Sequence, residues 1–206
     1  MRYNELTFQG RNAVLEAFRS GKTIDKLFIL DGCQDGPIKS IVREAKKTDA
    51  IINYVDKERL DRLAGTGHHQ GVVAIGAAYE YAEVEDILAA AKEKGEDPFI
   101  FILDEIEDPH NLGAIIRTAN LAGAHGVIIP KRRAVGLTAT VAKTSAGAIN
   151  YTPVAKVTNI SQTIEELKKQ GLWFVCADMG GETMYNLNLK GPIGLVIGNE
   201  GNGVSR

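Results

Sequence analysis

The sequence predicts an α/β protein whose second half forms a doubly wound parallel sheet. Segments with the patterns of strands and helices alternate along most of the chain. The run PFIFILD, residues 98–104, is apolar up to its last residue, which is typical of a strand buried on both faces of a parallel sheet. Hydrophobic residues make up 44% and charged residues 24% of the 206 residues, which indicates a globular fold rather than disorder or a coiled coil.

Residues 1–76 predict a compact α/β unit of their own. Asn12 is a plausible cap for a first helix, because Val14, Leu15 and Phe18 then share one helical face. A second helix carries proline in its first turn and apolar residues at helical spacing. The predicted elements after the first helix are strand 26–30, helix 37–48, strand 51–55, helix 56–64 and strand 71–75.

Residues 77–97 are acidic and alanine-rich, with one predicted helix over 84–94, and the stretch before that helix is predicted to link two domains. The second domain is predicted over residues 98–206. After the strand in 98–104, the pattern predicts a helix capped by Asn111, strand 126–130, helix 139–146, strand 152–155, helix 160–170, and strands 173–177 and 194–198. Ligands of such sheets bind at the carboxyl ends of the strands.

Charge and composition exclude several classes of protein. The net charge is −2, with 12 Lys/Arg against 10 Asp/Glu in residues 1–75, so a basic patch is permitted but not indicated. The apolar stretches are too short for a bilayer, and the N-terminus lacks the apolar core of a secretory signal. The two cysteines form neither a disulfide framework nor a metal-ligand spacing, so a cytoplasmic protein without a metal site is expected.

The densest candidate for a ligand site is GNEGNG, residues 198–203, which directly follows a predicted buried strand. Glycines there allow a ligand to approach backbone N–H groups. The spacing differs from the dinucleotide fingerprint, and the chain has no Walker A sequence, so a nucleotide-dependent dehydrogenase or a triphosphatase is disfavoured. A glycine-rich turn with a solvated Glu200 is the simpler alternative.

Cations follow two other strand ends. Arg117 lies in the helix NLGAIIRTANLAG among small and apolar residues, where a charge is costly unless it is paired, used or extended to the surface. Lys131, Arg132 and Arg133 follow the strand 126–130 and could bind phosphates, although a solvated loop explains them equally well. His69 is predicted in a surface loop that could touch a polyanion, and Cys176 is predicted to be a small core residue.

Two pairs of segments carry a family resemblance. NLGAIIRTA (111–119) and LVIGNEGNGVS (195–205) resemble the first two motifs of the SpoU, or TrmH-type, branch of the SPOUT RNA methyltransferases. FQGRNAVLEA (8–17) and HHQGVVA (68–74) resemble the N-terminal L30e-like domain of the same family. The layout is similar to the 23S rRNA guanosine 2′-O-methyltransferases of that family, and the resemblance covers nearly the whole chain.

The resemblance implies an N-terminal L30e-like α/β domain that binds RNA and a C-terminal SPOUT α/β-knot domain with a parallel sheet. It implies S-adenosylmethionine as the cofactor and a guanosine of rRNA as the substrate, with no binding of DNA. It also implies a homodimer. It implies catalytic roles for Arg117, Asn111 and Glu200. The cofactor contacts it implies are Ala177, Ile197, Gly198, Asn199, Glu200 and Gly201, and the RNA contacts are Arg11, His69, Lys131, Arg132 and Arg133.

One family motif has no counterpart here. The family carries a third motif, similar to IPMxGxxxSLN, which completes the cofactor pocket and closes the knot, and the sequence stops at Arg206 before any such segment. A truncated enzyme, or a sequence that omits a tail, is therefore expected. A non-catalytic RNA-binding protein and a tRNA 2′-O-methyltransferase remain the alternatives.

Overall fold

The computed structural model describes residues 6–48, 50–65 and 67–205. The chain divides into two compact units, one of residues up to 80 with 136–139, the other of residues 81–135 with 140 onwards. Within the described residues, no helix combines the length and the apolarity that crossing a bilayer requires.

The first unit is a mixed four-stranded sheet with helices on both faces. Its strands run in the order β1-β4-β2-β3, with β2 and β3 parallel and the other pairs antiparallel. Its elements are β1 (Leu6–Gln9), α1 (Arg11–Arg19), β2 (Ile24–Leu30), α2 (Gly36–Lys47), β3 (Ile51–Val55), α3 (Lys57–Ala64) and β4 (Val72–Gly76).

Side chains that alternate between the two faces of the central strands explain why helices pack on both sides of the sheet. Leu27 and Ile29 of β2 pack with the buried faces of α1 and α2, whereas Phe28 between them packs with Leu60 of α3. Successive strand residues point to opposite faces, so one strand serves two apolar clusters. Aspartates set the starts of two helices, since Asp35 accepts the N–H of Ile38 and Asp56 accepts the N–H of Arg59.

The second unit has a five-stranded, fully parallel sheet in the order β7-β6-β5-β9-β8. This confirms the predicted fold class for the second half. Its elements are α4 (Val84–Lys94), β5 (Phe99–Leu103), α5 (Pro109–Leu121), β6 (Gly126–Pro130), α6 (Ala139–Thr144), β7 (Val154–Val157), α7 (Ile160–Lys169), β8 (Trp173–Ala177) and β9 (Ile193–Ile197), with short 3-10 turns at Ala148–Asn150 and Met184–Asn186.

The central strand β5 is buried on both faces, as its apolar run predicts. Ile100 and Ile102 belong to the cluster with α4 and α7, and Phe101 and Leu103, on the opposite face, are also at most 4% exposed. On that second side, α5 and α6 approach closely at Gly113, where an added Cβ would overlap the Thr144 side chain. Close packing of these two helices therefore requires glycine at position 113.

The structure corrects three local predictions. Gly10 rather than Asn12 occupies the N-cap position of α1. Cys176 is exposed rather than a core residue, because β8 is an edge strand of the sheet. Strand β1 has no counterpart in the prediction, because four residues at an edge give too little pattern to recognise.

Candidate functional site

The two sequence motifs meet at the switch point of the parallel sheet. The strand order changes direction between β5 and β9, which are neighbours although three strands lie between them along the chain. The loop after β5 and the loop after β9 therefore leave the same edge side by side. Crevices at such points are where open α/β sheets bind ligands.

A side-chain hydrogen bond joins the motifs directly. Asn111 Nδ2 donates to Glu200 Oε1 at 2.6 Å, across 89 residues of sequence. Asn111 does not cap its helix as predicted. Asp108 accepts the N–H of His110 at 2.8 Å and caps α5, and Pro109 opens its first turn. Asn111 is therefore free to turn its amide toward the glycine loop.

Arg117 lies on the exposed side of α5, six residues beyond Asn111. That separation is about 9 Å along the helix axis. Among the described residues no hydrogen bond or ion pair engages its guanidinium, and Glu200 contacts Asn111 instead of Arg117. The charge is thus kept in water by exposure and is available to a ligand.

Asn199 shapes the glycine loop. Its Oδ1 accepts the N–H groups of Gly201 at 2.9 Å and Asn202 at 3.3 Å, and its Nδ2 donates to the carbonyl of Glu105 at 3.1 Å. The Asn199 backbone also exchanges two hydrogen bonds of 2.9 Å with Gly203. Both ends of the amide are consequently committed inside the protein.

Gly198 permits this loop to close. A Cβ at Gly198 would lie closer than 3.0 Å to the backbone of Gly203 and Val204. Glycine is required because two backbone segments approach closely here, and no rotation of a side chain could relieve the clash with a Cβ.

Asp104 and Glu105, which sequence reasoning missed as site residues, tie the loops together. Asp104 is 6% exposed and its Oδ2 accepts the N–H of Ser205 at 2.6 Å. Glu105, in the left-handed region at φ 57°, accepts a 2.9 Å hydrogen bond from Arg133. Their position immediately after the PFIFIL run was the available signal, since carboxyl ends of buried strands carry ligand loops.

The three cations after β6 do not share one environment. Arg133 is paired with Glu105, which raises the pKa of the guanidinium further above its usual value through the hydrogen bond and the carboxylate charge. Arg132 is exposed, whereas Lys131 is half-buried. Of the two arginines, only Arg132 lacks an ion pair within the part of the chain that the structure describes.

The ends of β8 and β9 offer small apolar surface beside the glycine loop. Ala177 and Ile197 are aligned in register, with Ala177 exposed and Ile197 half-buried. Neighbouring Cys176 is exposed, but partial desolvation of its thiol raises the pKa first, and the charges of Asp178 and Asp104 raise it further. A raised pKa disfavours the thiolate, so Cys176 is a poor nucleophile.

In the first unit, Arg11 joins the two resemblance segments. Its backbone N–H donates to Gln70 Oε1 at 3.1 Å and its Nε donates to the Gln70 carbonyl at 3.1 Å. Its Nη2 forms a 2.6 Å ion pair with Asp35, the cap of α2. The Arg11 charge is therefore already neutralised within its own unit.

His69 is buried, which corrects the prediction of a surface residue. It is 5% exposed, its Nδ1 accepts the N–H of Gly71 at 3.0 Å, and its Nε2 lies 2.9 Å from Asp61 Oδ1. Because Nδ1 accepts a hydrogen bond, the ring proton lies on Nε2, which donates to Asp61. The loop needs this buried acceptor to turn into β4, so His69 is structural. Across the described residues, no cluster of three or more His, Cys, Asp or Glu side chains could hold a metal ion.

Comparison with known proteins places both units in one family. Residues 98–206 match the SpoU rRNA Methylase family, and residues 9–82 match the family of RNA 2′-O ribose methyltransferase substrate-binding domains. A Bacillus subtilis protein assigned to the TrmH family of tRNA/rRNA methyltransferases is 52% identical over 198 residues, which cover 96% of this chain and 79% of that protein. A Staphylococcus haemolyticus relative with the same family assignment is 46% identical over 203 residues, covering 98% of this chain and 81% of the relative.

Solved structures share the fold. The SpoU methyltransferase AviRb of Streptomyces viridochromogenes, in complex with AdoMet, superposes with a TM-score of 0.54 at 21% identity over 98% of this chain and 75% of AviRb. An rRNA methyltransferase of Sinorhizobium meliloti gives 0.53 at 24% identity over 97% of this chain and 73% of that one. The chain belongs to the SpoU family of RNA methyltransferases, which confirms the family that its motifs predict.

Proposed function

We propose that the protein transfers a methyl group from S-adenosylmethionine to a ribose 2′-hydroxyl of RNA, at a guanosine of 23S rRNA. One observation carries the proposal. Asn111 of the first motif is hydrogen-bonded to Glu200 of the second at the sheet's switch point, and Arg117 extends from the same helix without a partner among the described residues. Family membership and the substrate-binding match of residues 9–82 support the same reaction.

The residues at the strand ends fit the cofactor. Gly198 lets the backbone loop fold close, while Ala177 and Ile197 leave a low apolar surface beside it for a flat adenosine group. S-adenosylmethionine, when bound, supplies an electrophilic methyl group on a good leaving group. In this proposal Gly198, Gly201, Ala177 and Ile197 contact the cofactor, whereas Asn199 positions the loop because its amide is already committed.

The protein's own groups must ease loss of the hydroxyl proton. An unactivated ribose hydroxyl is a weak nucleophile. A guanidinium is a donor of N–H bonds and a permanent cation, so the role of Arg117 is to stabilise negative charge developing on the 2′-oxygen. Glu200, fixed by Asn111, orients the substrate ribose or accepts a proton relayed through water. The remaining task is positioning, which the rigid strand ends provide.

RNA binding is divided between the units. Residues 1–76 act as the RNA-binding domain and residues 98–206 form the methyltransferase domain. Within residues 77–97, the stretch before α4 connects the two domains, and α4 packs with the second. In the second unit Arg132 contacts phosphate, with Lys131 beside it, while Arg133 holds the loop against Glu105. Arg11 positions the Gln70 loop through two hydrogen bonds and pairs with Asp35 of α2, rather than contacting RNA.

The experiment is methyl transfer from labelled S-adenosylmethionine to separate 23S rRNA, 16S rRNA and tRNA transcripts. Resistance of the modified position to alkaline hydrolysis identifies a 2′-O-methyl group. We expect incorporation into 23S rRNA at one guanosine. Titration calorimetry with S-adenosylmethionine alone reports cofactor binding independently of RNA.

Arg117→Ala tests the central role. We expect kcat to fall by roughly 100-fold or more with cofactor affinity nearly unchanged, the usual effect of removing a charge-stabilising donor. The matched control is Arg59→Ala, an exposed arginine on α3 of the other unit, with wild-type kcat. Unchanged turnover in Arg117→Ala would refute the assignment.

Two alternatives have distinct signatures. The curated relatives are assigned to both tRNA and rRNA methyltransferases, and incorporation into tRNA alone would replace the rRNA substrate. RNA binding without cofactor binding or methyl transfer would indicate a non-catalytic RNA-binding protein. Neither outcome alters the family.

Homodimerisation is part of the proposal. Leu121 and Tyr151, in the second unit, are 81% and 82% exposed, and burying such side chains between two copies of the chain would remove apolar surface from water. Light scattering during gel filtration should give twice the 22.3 kDa chain mass. A mass equal to one chain over a wide concentration range would exclude the dimer.

A further inference from the structure

Helix α2 of the first unit carries an unusual concentration of positive charge. Its twelve residues include Lys39, Arg43, Lys46 and Lys47 against one acid, Glu44. Glu44 is already paired with Lys47 at 2.9 Å. The helix therefore keeps three uncompensated cations.

These three cations form one row. Lys39, Arg43 and Lys46 follow each other at intervals of four and three residues, which places them on one helical face over about 10 Å. All three are exposed, and none of their side chains has an ion pair or hydrogen bond within the described residues. The row lines an open, shallow concavity of about 450 Å³ together with Lys47 and the half-buried Val42.

Helix stability does not account for the row. Lysines in a last turn stabilise the helix dipole, which explains Lys46 and Lys47. Lys39 lies near the opposite end, where a positive charge opposes the dipole. The carboxylate at that end, the cap Asp35, is bonded to the Ile38 N–H and to Arg11 rather than to Lys39. Repulsion between neighbouring like charges at this spacing adds a further cost. Such an arrangement favours a polyanionic ligand that the isolated unit does not contain.

We propose that Lys39, Arg43 and Lys46 of α2 bind consecutive backbone phosphates of the substrate RNA, with Val42 against a sugar. This rests on the proposed RNA methyltransferase function and names the face of the first unit that receives the RNA. Helix α3 of the same unit differs from α2 in its balance of charge. It carries three cations with two acids, and one of its arginines, Arg62, is paired with Glu58.

The test compares two double variants of the full chain. Lys39→Gln/Arg43→Gln removes one lysine and one arginine from α2, and Lys57→Gln/Arg59→Gln removes the same pair of residue types from α3. Both pairs are exposed. Binding of a 23S rRNA transcript is measured over a range of salt concentrations, and methyl transfer is measured at varied RNA concentration.

Loss of two phosphate contacts should lower the slope of log affinity against log salt by about 1.4–1.8. At about 0.1 M salt this corresponds to a loss of roughly 25- to 60-fold in RNA affinity. KM for RNA should rise in parallel, kcat at saturating RNA should stay at the wild-type value, and cofactor affinity should not change. The α3 variant should bind RNA within about threefold of wild type, as expected for cations without phosphate contacts.

Other results overturn the proposal in distinguishable ways. Equal losses in both variants would mean that only net charge matters. Wild-type affinity and slope in the α2 variant would exclude RNA from this face and leave an acidic protein surface as its ligand. Both results leave the proposed methyltransferase function standing, whereas a wild-type protein that neither binds nor methylates RNA would overturn both.

Discussion

Closure of the glycine loop depends on a single missing side chain. Gly198→Ala would place a Cβ closer than 3.0 Å to the backbone of Gly203 and Val204. Because the added Cβ overlaps backbone atoms, the steric clash can be relieved only if the segment at Gly198 moves away from the segment at Gly203 and Val204. The first bonds to break are the two 2.9 Å hydrogen bonds between Asn199 and Gly203.

The size of the effect follows from those two bonds. A typical intramolecular hydrogen bond contributes about 1 kcal/mol net, so opening the loop becomes about 2 kcal/mol easier. That corresponds to roughly 30-fold faster exchange of the amide protons that the bonds protect, since about 1.4 kcal/mol is tenfold. The assay is amide hydrogen exchange at Asn199 and Gly203, which reports local opening even if the rest of the domain stays folded.

Gly201→Ala is the matched control, because its Cβ would meet nothing nearer than Asn199 Oδ1 at 3.5 Å, an ordinary contact. We expect wild-type exchange at Asn199 and Gly203 in that variant. Cofactor affinity should fall in Gly198→Ala, because the proposed pocket is formed by the closed loop. Exchange rates in Gly198→Ala that equal those of the control would refute the close-approach argument.

Three further predictions concern the second unit. Gly113→Ala should lower the free energy of unfolding by about 1–3 kcal/mol in urea, because its Cβ overlaps Thr144. His125→Leu should cost about 1–3 kcal/mol in the same assay, because Phe99 N–H loses its 3.0 Å acceptor, and an unchanged value would show that water replaces the ring. Cys176 should react with iodoacetamide at pH 8 more slowly than free cysteine, because partial desolvation and two nearby carboxylates raise the pKa of its thiol and deplete the thiolate. Equal rates would contradict that shift.

The parallel sheet could be predicted because its signals are local. The apolar run of β5 and the strand patterns at 126–130 and 173–177 each match the observed bounds closely. Strand β1 escapes prediction because an edge strand of four residues buries little and shows little pattern. The mixed sheet of the first unit also depends on pairings distant in sequence, which periodicity does not encode.

The motifs at the site are predictable from sequence, but their internal bonds are not. Asn111 and Glu200 stand out in separate segments, and only the strand order brings them within 2.6 Å. The prediction for His69 is wrong because adjacent histidines in a polar loop give no sign that one ring is buried as an acceptor for Gly71. Asp104 escapes notice because a single acid after an apolar run is common at the ends of strands.

Residues whose polar groups are already hydrogen-bonded within the protein build the site, and residues whose polar groups have no such partner are available to ligands. Asn199 uses both ends of its amide on its own loop and on Glu105, and Arg133 uses its guanidinium on the same residue. Asn199 would have to break an internal hydrogen bond before its amide could bind a ligand fully, and the free energy lost would be comparable to that of the new hydrogen bond. In Arg133 the carboxylate of Glu105 already offsets the positive charge. Arg117 and Arg132 are exposed and have no partner among the described residues, so their full charge is available at no such cost. Ligand contacts should therefore concentrate on Arg117 and Arg132, and substitutions of Asn199 or Arg133 should act on loop geometry first.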